Sequence, residues 1–329
     1  MPERIPISVI IDDGCPIVHL YRYHLPDAHD EEPLTGDGAR LVDEIPGSFL
    51  DEFCAVTERH GISGKFSIVP MPAGLGDVAR GIDGHPAEET RTWIDTARTR
   101  LGPRFDFCPE MLTHDFAVNL DDGSMRPETE LDWSREQDVR ALTPYLTKAL
   151  QLLKDAGVEA TGVTSPWTFA DQVEAEYQQA IIAAQQAVWG RRLSWYFLHA
   201  FSDRPSARPY IARVESAGAL VSIVANIDDY FWASLYRSQG DPDAIAVEIA
   251  DHYLTDDGRD GDILRVLDSG GWPTIVTHWQ CLYGNGSQAG LRALDLLGER
   301  INRLIGDRVQ WSTCSDLVER TVTELRGTV

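Results

Sequence analysis

Short apolar runs recur along the chain, and segments in which apolar residues follow a helical spacing lie between them. Apolar runs of four to nine residues that end at glycine or polar residues predict buried strands. Eight strands are predicted, over residues 7–13, 64–70, 104–112, 160–166, 193–200, 219–227, 274–278 and 309–312. Seven helices are predicted, over residues 47–61, 87–101, 135–156, 169–189, 241–268, 287–305 and 315–326.

The ends of two helices carry recognisable signals. Ser134 and Gln137 have capping-box spacing before the helix over 135–156, and Gly157 stands where a glycine cap ends such a helix. Gly190 similarly follows the helix over 169–189. These signals support the assignment of both segments as helices.

Strands that alternate with helices predict parallel βα units, and so an α/β fold. No GxGxxG follows the first strand, which argues against two dinucleotide-binding halves. We therefore expect a single (β/α)7-8 barrel, irregular and TIM-like, as one domain over residues 1–329. A long loop at about 15–46 has the position of a lid over the C-terminal face of this barrel. Its histidines, His19, His24 and His29, are expected to be solvated.

Composition and charge narrow the class of protein. The 329 residues include 43% hydrophobic residues, a normal value for a globular protein, and carry a net charge of -23. This charge argues against nucleic-acid and anionic-membrane partners. The N-terminus has no apolar signal region and no stretch has the length of a membrane span, so a cytoplasmic protein is expected. Five widely spaced cysteines predict neither a disulfide framework nor a zinc ribbon, and the oligomeric state is left open.

Ionisable side chains follow strand after strand at the predicted C-terminal ends, which meet at one face of a barrel. The set comprises Asp12, Asp13, Glu110, His114, Asp115, His199, Asp228, Asp229 and His278. Carboxylates together with imidazoles suit zinc, iron, cobalt, nickel or manganese. A metal of this kind lowers the pKa of bound water, while another carboxylate can serve as base and a histidine as acid. The sequence therefore predicts a metal-dependent enzyme.

Several residues near these strand ends are candidates for contact with a substrate. Asp228 and Asp229 precede three aromatic residues, an arrangement that suits either a sugar subsite or a helix cap formed by Asp229. His199 ends an aromatic strand, where it is either a hydrogen-bonded core residue or a functional group. The predicted substrate-binding set is Trp167, Asp228, Asp229, Trp279 and His199.

Three segments resemble motifs of the polysaccharide deacetylases, which act on chitin, peptidoglycan and related N-acetylated sugars. They are Ile11-Asp12-Asp13-Gly14, Gly64-Lys65-Phe66-Ser67-Ile68-Val69-Pro70 and Val276-Thr277-His278. The resemblance implies that Asp12 is the catalytic base, Asp13 a metal ligand and His278 the general acid. It assigns no chemistry to the second segment, and it implies an irregular deacetylase barrel.

Two departures from the family pattern affect the predicted site. The family has two metal-binding histidines four residues apart, whereas Glu110 here takes the place of the first and His114 keeps the second. Glu110 is therefore either the third metal ligand, beside Asp13 and His114, or a residue that orients a neighbour. The family's third motif carries an arginine that steadies the catalytic aspartate, but Thr164-Ser165-Pro166-Trp167 contains none. The resemblance implies a divalent metal ion, with zinc first among the candidates.

The function expected from these features is a metal-dependent hydrolase that removes an acyl group from an N-acetylated sugar or a related small molecule. Its substrate would be a small molecule or an oligosaccharide. One alternative is a non-catalytic carbohydrate-binding relative, because the arginine and one histidine are missing. Another is a glycoside hydrolase on the same scaffold, because paired carboxylates also serve glycosidic bond cleavage.

Overall fold

The computed structural model describes residues 4–23 and 33–327. The strands are β1 (Ile5–Gly14), β2 (Ile17–Val18), β3 (Glu44–Ile45), β4 (Gly64–Ile68), β5 (Gly76–Asp77), β6 (Gly81–Ile82), β7 (Phe105–Pro109), β8 (Phe116–Val118), β9 (Met125–Thr129), β10 (Gly162–Thr164), β11 (Leu193–Ala200), β12 (Tyr210–Val214), β13 (Ala219–Ala225), β14 (Thr274–His278) and β15 (Val309–Trp311). The helices are α1 (Ser48–His60), α2 (Ala87–Thr96), α3 (Glu130–Ser134), α4 (Val139–Asp155), α5 (Glu174–Trp189), α6 (Trp232–Tyr236), α7 (Pro242–Tyr253), α8 (Asp262–Asp268), α9 (Trp279–Tyr283), α10 (Ala289–Ile305) and α11 (Cys314–Gly327).

Eight parallel strands, with β12 antiparallel at one edge, form the frame of the molecule. One sheet has the order β14-β1-β4-β7, with β15 also paired to β1, and the other has the order β10-β11-β13-β12. Isolated parallel β-bridges join the two sheets on both sides. Phe107 pairs with Ala160 and Glu110 with Thr164 between β7 and β10, and Ile227 pairs with Ile275 between the end of β13 and β14. The strands thus follow one another around an irregular barrel in chain order, as the α/β barrel prediction requires.

The alternation of side chains along the strands divides the core into two parts. Ile7, Val9 and Ile11 of β1 belong to the large cluster between the sheets and the helices. The intervening Ile10 belongs to a second cluster, which also contains Cys108 of β7, Trp195 and Phe197 of β11, Ile223 of β13 and Val276 of β14. Since successive residues of a strand point to opposite faces, this second cluster fills the interior of the barrel.

All eight predicted strands are present, and those over 193–200 and 274–278 have the predicted bounds. Two helix predictions are wrong in detail. The helix over 241–268 is divided into α7 and α8, because Gly258 and Gly261 between them adopt positive φ angles. The helix over 135–156 begins at Val139 and is capped by Asp138, whose Oδ1 accepts hydrogen bonds from two backbone amides. Ser134 instead ends α3, a helix that the apolar pattern did not predict.

The loop predicted at 15–46 lies partly outside the described residues, and His24 is among the residues that the structure does not describe, as is His29. Its two ends pair through β2 and β3, and its second half is hydrogen-bonded to residues 239 and 285. His19 is fully buried, contrary to the prediction of a solvated side chain, and burial lowers its pKa to about 4. The loop therefore packs on the barrel, whereas a role as a lid stays a prediction.

All five cysteines are free and buried, and Cys108 and Cys314 belong to the cluster in the barrel interior. Among the described helices, none has the length and apolar character needed to cross a membrane.

Gly14 permits a close contact between β1 and β4 immediately after the two aspartates. A Cβ atom at this position would lie 2.3 Å from the Ser67 carbonyl oxygen and 2.3 Å from the Phe66 ring. We predict that Gly14→Ala lowers the free energy of unfolding by about 1–3 kcal/mol, as measured by urea denaturation.

Gly47→Ala is the matched control, because residue 47 has φ -57° and no described atom lies within 4 Å of its added Cβ. Its stability should stay within about 0.5 kcal/mol of wild type. Equal stability of Gly14→Ala and the wild-type protein would contradict the close contact.

Candidate active site

Both aspartates of the first strand reach the site because β1 turns at its end. Asp12 continues the interior-facing series of Ile10, whereas Asp13 would face outward in a regular strand. Asp13 instead has φ 63°, and the pairing of β1 with β4 shifts register between Ile11 and Gly14. This left-handed residue, uncommon outside glycine, brings the two carboxylates to the same end of the barrel.

Asp13, Glu110 and His114 form a buried cluster. Asp13 Oδ1 lies 2.8 Å from His114 Nε2, and Glu110 Oε1 lies 3.7 Å from the same nitrogen. One ligand atom from each of the three side chains falls within 4.8 Å of the others. Each residue is at most 3% exposed. The predicted metal ligands are therefore placed together, with Glu110 among them.

The carboxylates of this cluster carry more negative charge than the neighbouring cationic side chains neutralise. Burial raises the pKa of Glu110 to about 7, and the charges of Asp12 and Asp13 add to this effect. Burial disfavours the charged form of His114, but Asp13 and Glu110 outweigh it and raise the pKa of His114 to about 9. Such a site attracts protons or a cation.

The donor set fits a divalent metal ion. Two carboxylates and one imidazole are competent ligands for zinc and its neighbours, and catalytic zinc sites commonly have three protein ligands. Glu110 Oε2 accepts hydrogen bonds from the Asp13 amide at 2.7 Å and from the Ser67 hydroxyl. Gln280 Nε2 donates to Asp13 Oδ2 at 2.6 Å. These contacts orient both carboxylates, as outer partners of metal ligands do.

Glu130 holds the loop that carries His114, although no motif in the sequence indicates this role. Its carboxylate accepts hydrogen bonds from the amides of Leu112, Thr113 and His114, at 3.0, 3.1 and 2.9 Å. Tyr145 donates to the same carboxylate at 2.6 Å. Because His114 has φ 55°, its backbone requires such support, and Glu130 supplies it from a fully buried position.

Lys65 is the main functional residue that the sequence analysis missed. The resemblance assigned no chemistry to its strand, yet Lys65 is fully buried and forms an ion pair with Asp12 Oδ1. The signal in the sequence is a single charged residue within the apolar strand β4. The segment to which the resemblance assigned no chemistry therefore supplies the partner of Asp12.

His278 lies beside Asp12 and is bound by Asp229. Asp12 and His278 are register partners on the parallel strands β1 and β14. His278 Nδ1 lies 2.8 Å from Asp229 Oδ2. Asp229 Oδ1 also accepts a hydrogen bond from the Phe231 amide at 3.0 Å, but Phe231 is the N-cap residue of α6 and the helix has no side-chain cap, so Asp229 does not cap it. Burial raises the pKa of Asp229, although its bond to His278 opposes this effect.

These side chains open into a cavity of about 440 Å³ with aromatic walls. Asp12, Asp13, Glu110, His114 and His278 are among the lining residues, together with Tyr21, Trp167, Phe197, Trp232 and Tyr236. Trp167 meets the His114 ring edge to face at 4.5 Å, and Trp232 lies 4.9 Å from the His278 ring. The cavity thus combines the charged cluster with surfaces suited to the face of an apolar or sugar ring.

Four of the predicted substrate-binding residues require correction, since only Trp167 lines the cavity. Trp279 is 1% exposed, and its ring packs against Phe49 and Phe53 in the core outside the barrel. Asp228 is exposed away from the cavity, and Asp229 binds His278 instead. Leu198 and Ala200, on either side of His199, face the cavity, whereas His199 itself does not line it. The His199 Nε2 atom instead lies 2.9 Å from Glu174 Oε1.

The bond between His278 and Asp229 predicts a pH dependence of stability. Burial disfavours the charged form of His278, but Asp229, with the charges of Asp13 and Asp12, raises its pKa to about 10. A raised pKa stabilises the folded protein fully below the unfolded value of about 6.5, and this contribution disappears as the pH rises through about 10. Asp229→Asn should remove about 1–3 kcal/mol at pH 6.

The measurement is urea unfolding of chelator-treated protein between pH 6 and pH 10. The stability difference between the wild-type protein and Asp229→Asn should shrink as the pH rises, whereas Asp228→Asn should show no such trend. A difference that grows with pH would contradict the assignment.

Comparisons with known proteins bear on the fold. No protein-family model and no curated protein matches the chain. A solved structure from Mycobacterium smegmatis, assigned as a polysaccharide deacetylase, is 15% identical with a TM-score of 0.54 and covers 98% of this chain and 93% of its own. The peptidoglycan deacetylase PdaC from Bacillus subtilis is 12% identical with a TM-score of 0.44, covering 100% and 98%. A CE4 family pseudoenzyme from Bacillus anthracis is 9% identical with a TM-score of 0.40, covering 97% and 66%.

The first of these similarities supports the fold predicted from the motifs. It extends over nearly the whole of both chains, even though few residues are identical. The chain therefore has a divergent form of the polysaccharide deacetylase fold.

Proposed function

We propose that the chain is a divalent-metal-dependent hydrolase that removes an acyl group from an N-acetylated sugar or a related small molecule. The observation that carries this proposal is the juxtaposition of the Asp13–Glu110–His114 cluster with Asp12 and His278 around one cavity. These are the groups that a metal-assisted acyl hydrolysis needs: ligands, a base and an acid. The deacetylase fold agrees with this reaction class.

Asp13, Glu110 and His114 would hold the ion, with zinc as the first candidate. When bound there, a divalent ion would polarise the acyl carbonyl and make a water molecule more acidic. Gln280 and Ser67 would keep the two carboxylates oriented through the hydrogen bonds that they already donate. The raised pKa of Glu110 indicates that protons compete for the same oxygens, so the ion should bind more tightly as the pH rises.

Asp12 would act as the general base. One of its oxygens is bound by Lys65, and the residue lines the cavity. In the proposed step, Asp12 accepts a proton from water as the water oxygen forms a bond to the acyl carbon. A carboxylate held at the cavity wall is suitably placed to take this proton.

His278 would act as the general acid. Asp229 binds its Nδ1 and raises its pKa, so the imidazole holds a proton at neutral pH. As the bond between the acyl carbon and the nitrogen breaks, His278 gives a proton to the departing nitrogen. The products are a free amine and a carboxylic acid. The register pairing of Asp12 with His278 on neighbouring strands supports this division of roles.

The aromatic walls support a substrate with a flat or apolar ring face. Tyr21 and Tyr236 flank Trp232, with centroid distances of 5.4 and 5.5 Å to its ring. A sugar ring could pack on this surface while its acyl group points toward the charged cluster. The net charge of -23 favours neutral or cationic substrates over polyanions.

The alternatives from the sequence receive less support. The non-catalytic relative was inferred from a missing arginine and a replaced histidine, but Lys65 supplies a cation to Asp12 and Glu110 joins the ligand cluster. A glycoside hydrolase would leave His114 and His278 without a role. Cleavage of aryl glycosides that persists in the presence of a chelator would favour that alternative.

Asp12→Asn is predicted to lower the turnover of acetylated sugars by about 10²–10⁴-fold, because an amide cannot accept the proton from water. Metal content, measured by elemental analysis, should be unchanged. Asp228→Asn removes an exposed carboxylate that does not line the cavity and serves as the control. Turnover by Asp12→Asn at the wild-type rate would contradict the role of Asp12 as base.

Glu110→Gln decides between the two interpretations of Glu110. The amide oxygen can still accept hydrogen bonds, but the negative charge is lost, so we predict a fall in zinc affinity of at least about 10-fold. Isothermal titration with zinc measures this change, and Glu128→Gln, on the exposed surface, is the control. Unchanged affinity would show that Glu110 only orients its neighbours.

A further inference from the structure

Lys65 is an unusual residue in this chain. Arginine outnumbers lysine strongly in the sequence, and the other two lysines, Lys148 and Lys154, lie on helix α4. Lys65 alone is fully buried, with its Nζ 5.3 Å from the centre of the Phe197 ring. Lysine is almost never fully buried unless its charge is paired. The partner here is Asp12.

The ion pair stands at the top of the apolar barrel interior. Lys65 extends from β4 among the interior cluster, which includes Ile10, Cys108 and Phe197. Burial there disfavours the ammonium form, yet Asp12 and other acidic neighbours raise the pKa of Lys65 above its usual value. Replacing a buried ion pair with apolar residues is often neutral or stabilising. Stability alone therefore gives little reason for a lysine at this position.

The contact is also specific to one oxygen of Asp12. Lys65 binds Oδ1, and no described residue donates a hydrogen bond to Oδ2. Asp12 lines the cavity, whereas Lys65 does not. Lys65 thus leaves the second carboxylate oxygen available on the cavity side, and any effect on a reaction must pass through Asp12.

From these contacts we propose that Lys65 is the positioning residue of the site, which fixes the carboxylate of Asp12. The assignment rests on the proposed function, since it presumes that Asp12 is the base. It also answers the absence of an arginine from Thr164-Ser165-Pro166-Trp167: the compensating cation comes from strand β4, which pairs directly with β1.

The test compares Lys65→Met with Lys65→Gln, which retains a hydrogen-bond donor but no charge. For folded protein with a full complement of metal, kcat should fall by about 100-fold or more in Lys65→Met, whereas KM should change little. Lys65→Gln should also lose activity, because the charge is gone. Lys148→Met repeats the substitution at a half-buried lysine of α4 that does not line the cavity, and it should retain wild-type kcat.

The second measurement combines Lys65→Met with Asp12→Asn. If Lys65 acts through Asp12, the double variant should be no less active than Asp12→Asn alone, and it should unfold at a higher urea concentration than Lys65→Met, because no unpaired carboxylate remains. If Lys65→Met does not fold, the activities of Lys65→Gln and of the double variant are compared instead.

Wild-type kcat in folded, metal-loaded Lys65→Gln or Lys65→Met would overturn the proposal, as would equal stability losses from Lys65→Met in both backgrounds. A failure of the proposal for Lys65 can be distinguished from a failure of the proposed function. A wild-type protein that hydrolyses no acetylated substrate rejects the hydrolase, whereas an active wild type with active Lys65 variants rejects only the role of Lys65.

Discussion

The site depends on one electrostatic constraint, which is that several carboxylates must be kept together at the mouth of a barrel with little access to water. An isolated carboxylate in such surroundings would lose its charge. Each carboxylate here has a different partner: Asp12 has Lys65, Asp229 has His278, and Asp13 shares His114 with Glu110. Among these groups, the Asp13–Glu110–His114 cluster has two carboxylates for one imidazole, and it is therefore where we propose that a divalent ion binds.

The same constraint explains why the backbone is strained around the site. Asp13, His114 and Trp167 have φ angles of 63°, 55° and 50°, in the left-handed region that residues other than glycine seldom occupy. In each case the conformation belongs to a cavity-lining residue. Hydrogen bonds from Gln280 to Asp13 and from the loop amides to Glu130 hold the strained segments in place. Strain of this kind at a functional centre is consistent with a preorganised site.

Much of this arrangement could be predicted from the sequence, because the periodic apolar strands fix the barrel and the barrel gathers the strand ends. Asp12, Asp13, Glu110, His114 and His278 came together for that reason. Predictions failed where a side chain's direction depends on tertiary detail. Trp279 begins helix α9, and that turn directs its ring into the core. His199 follows a register shift in β11 and is bound to Glu174. Glu130 belongs to no recognised motif, so its contacts with the loop that carries His114 could not be predicted.

The central claim is that the Asp13–Glu110–His114 cluster binds a divalent ion. Crystals of the protein grown with cobalt, with diffraction recorded on both sides of the cobalt absorption edge, would test it most directly. If the cluster binds the ion, one strong anomalous peak should lie within about 2.0–2.3 Å of a donor atom of each of the three residues. No peak at this cluster, or a peak only between Asp229, His278 and Cys281, would contradict it.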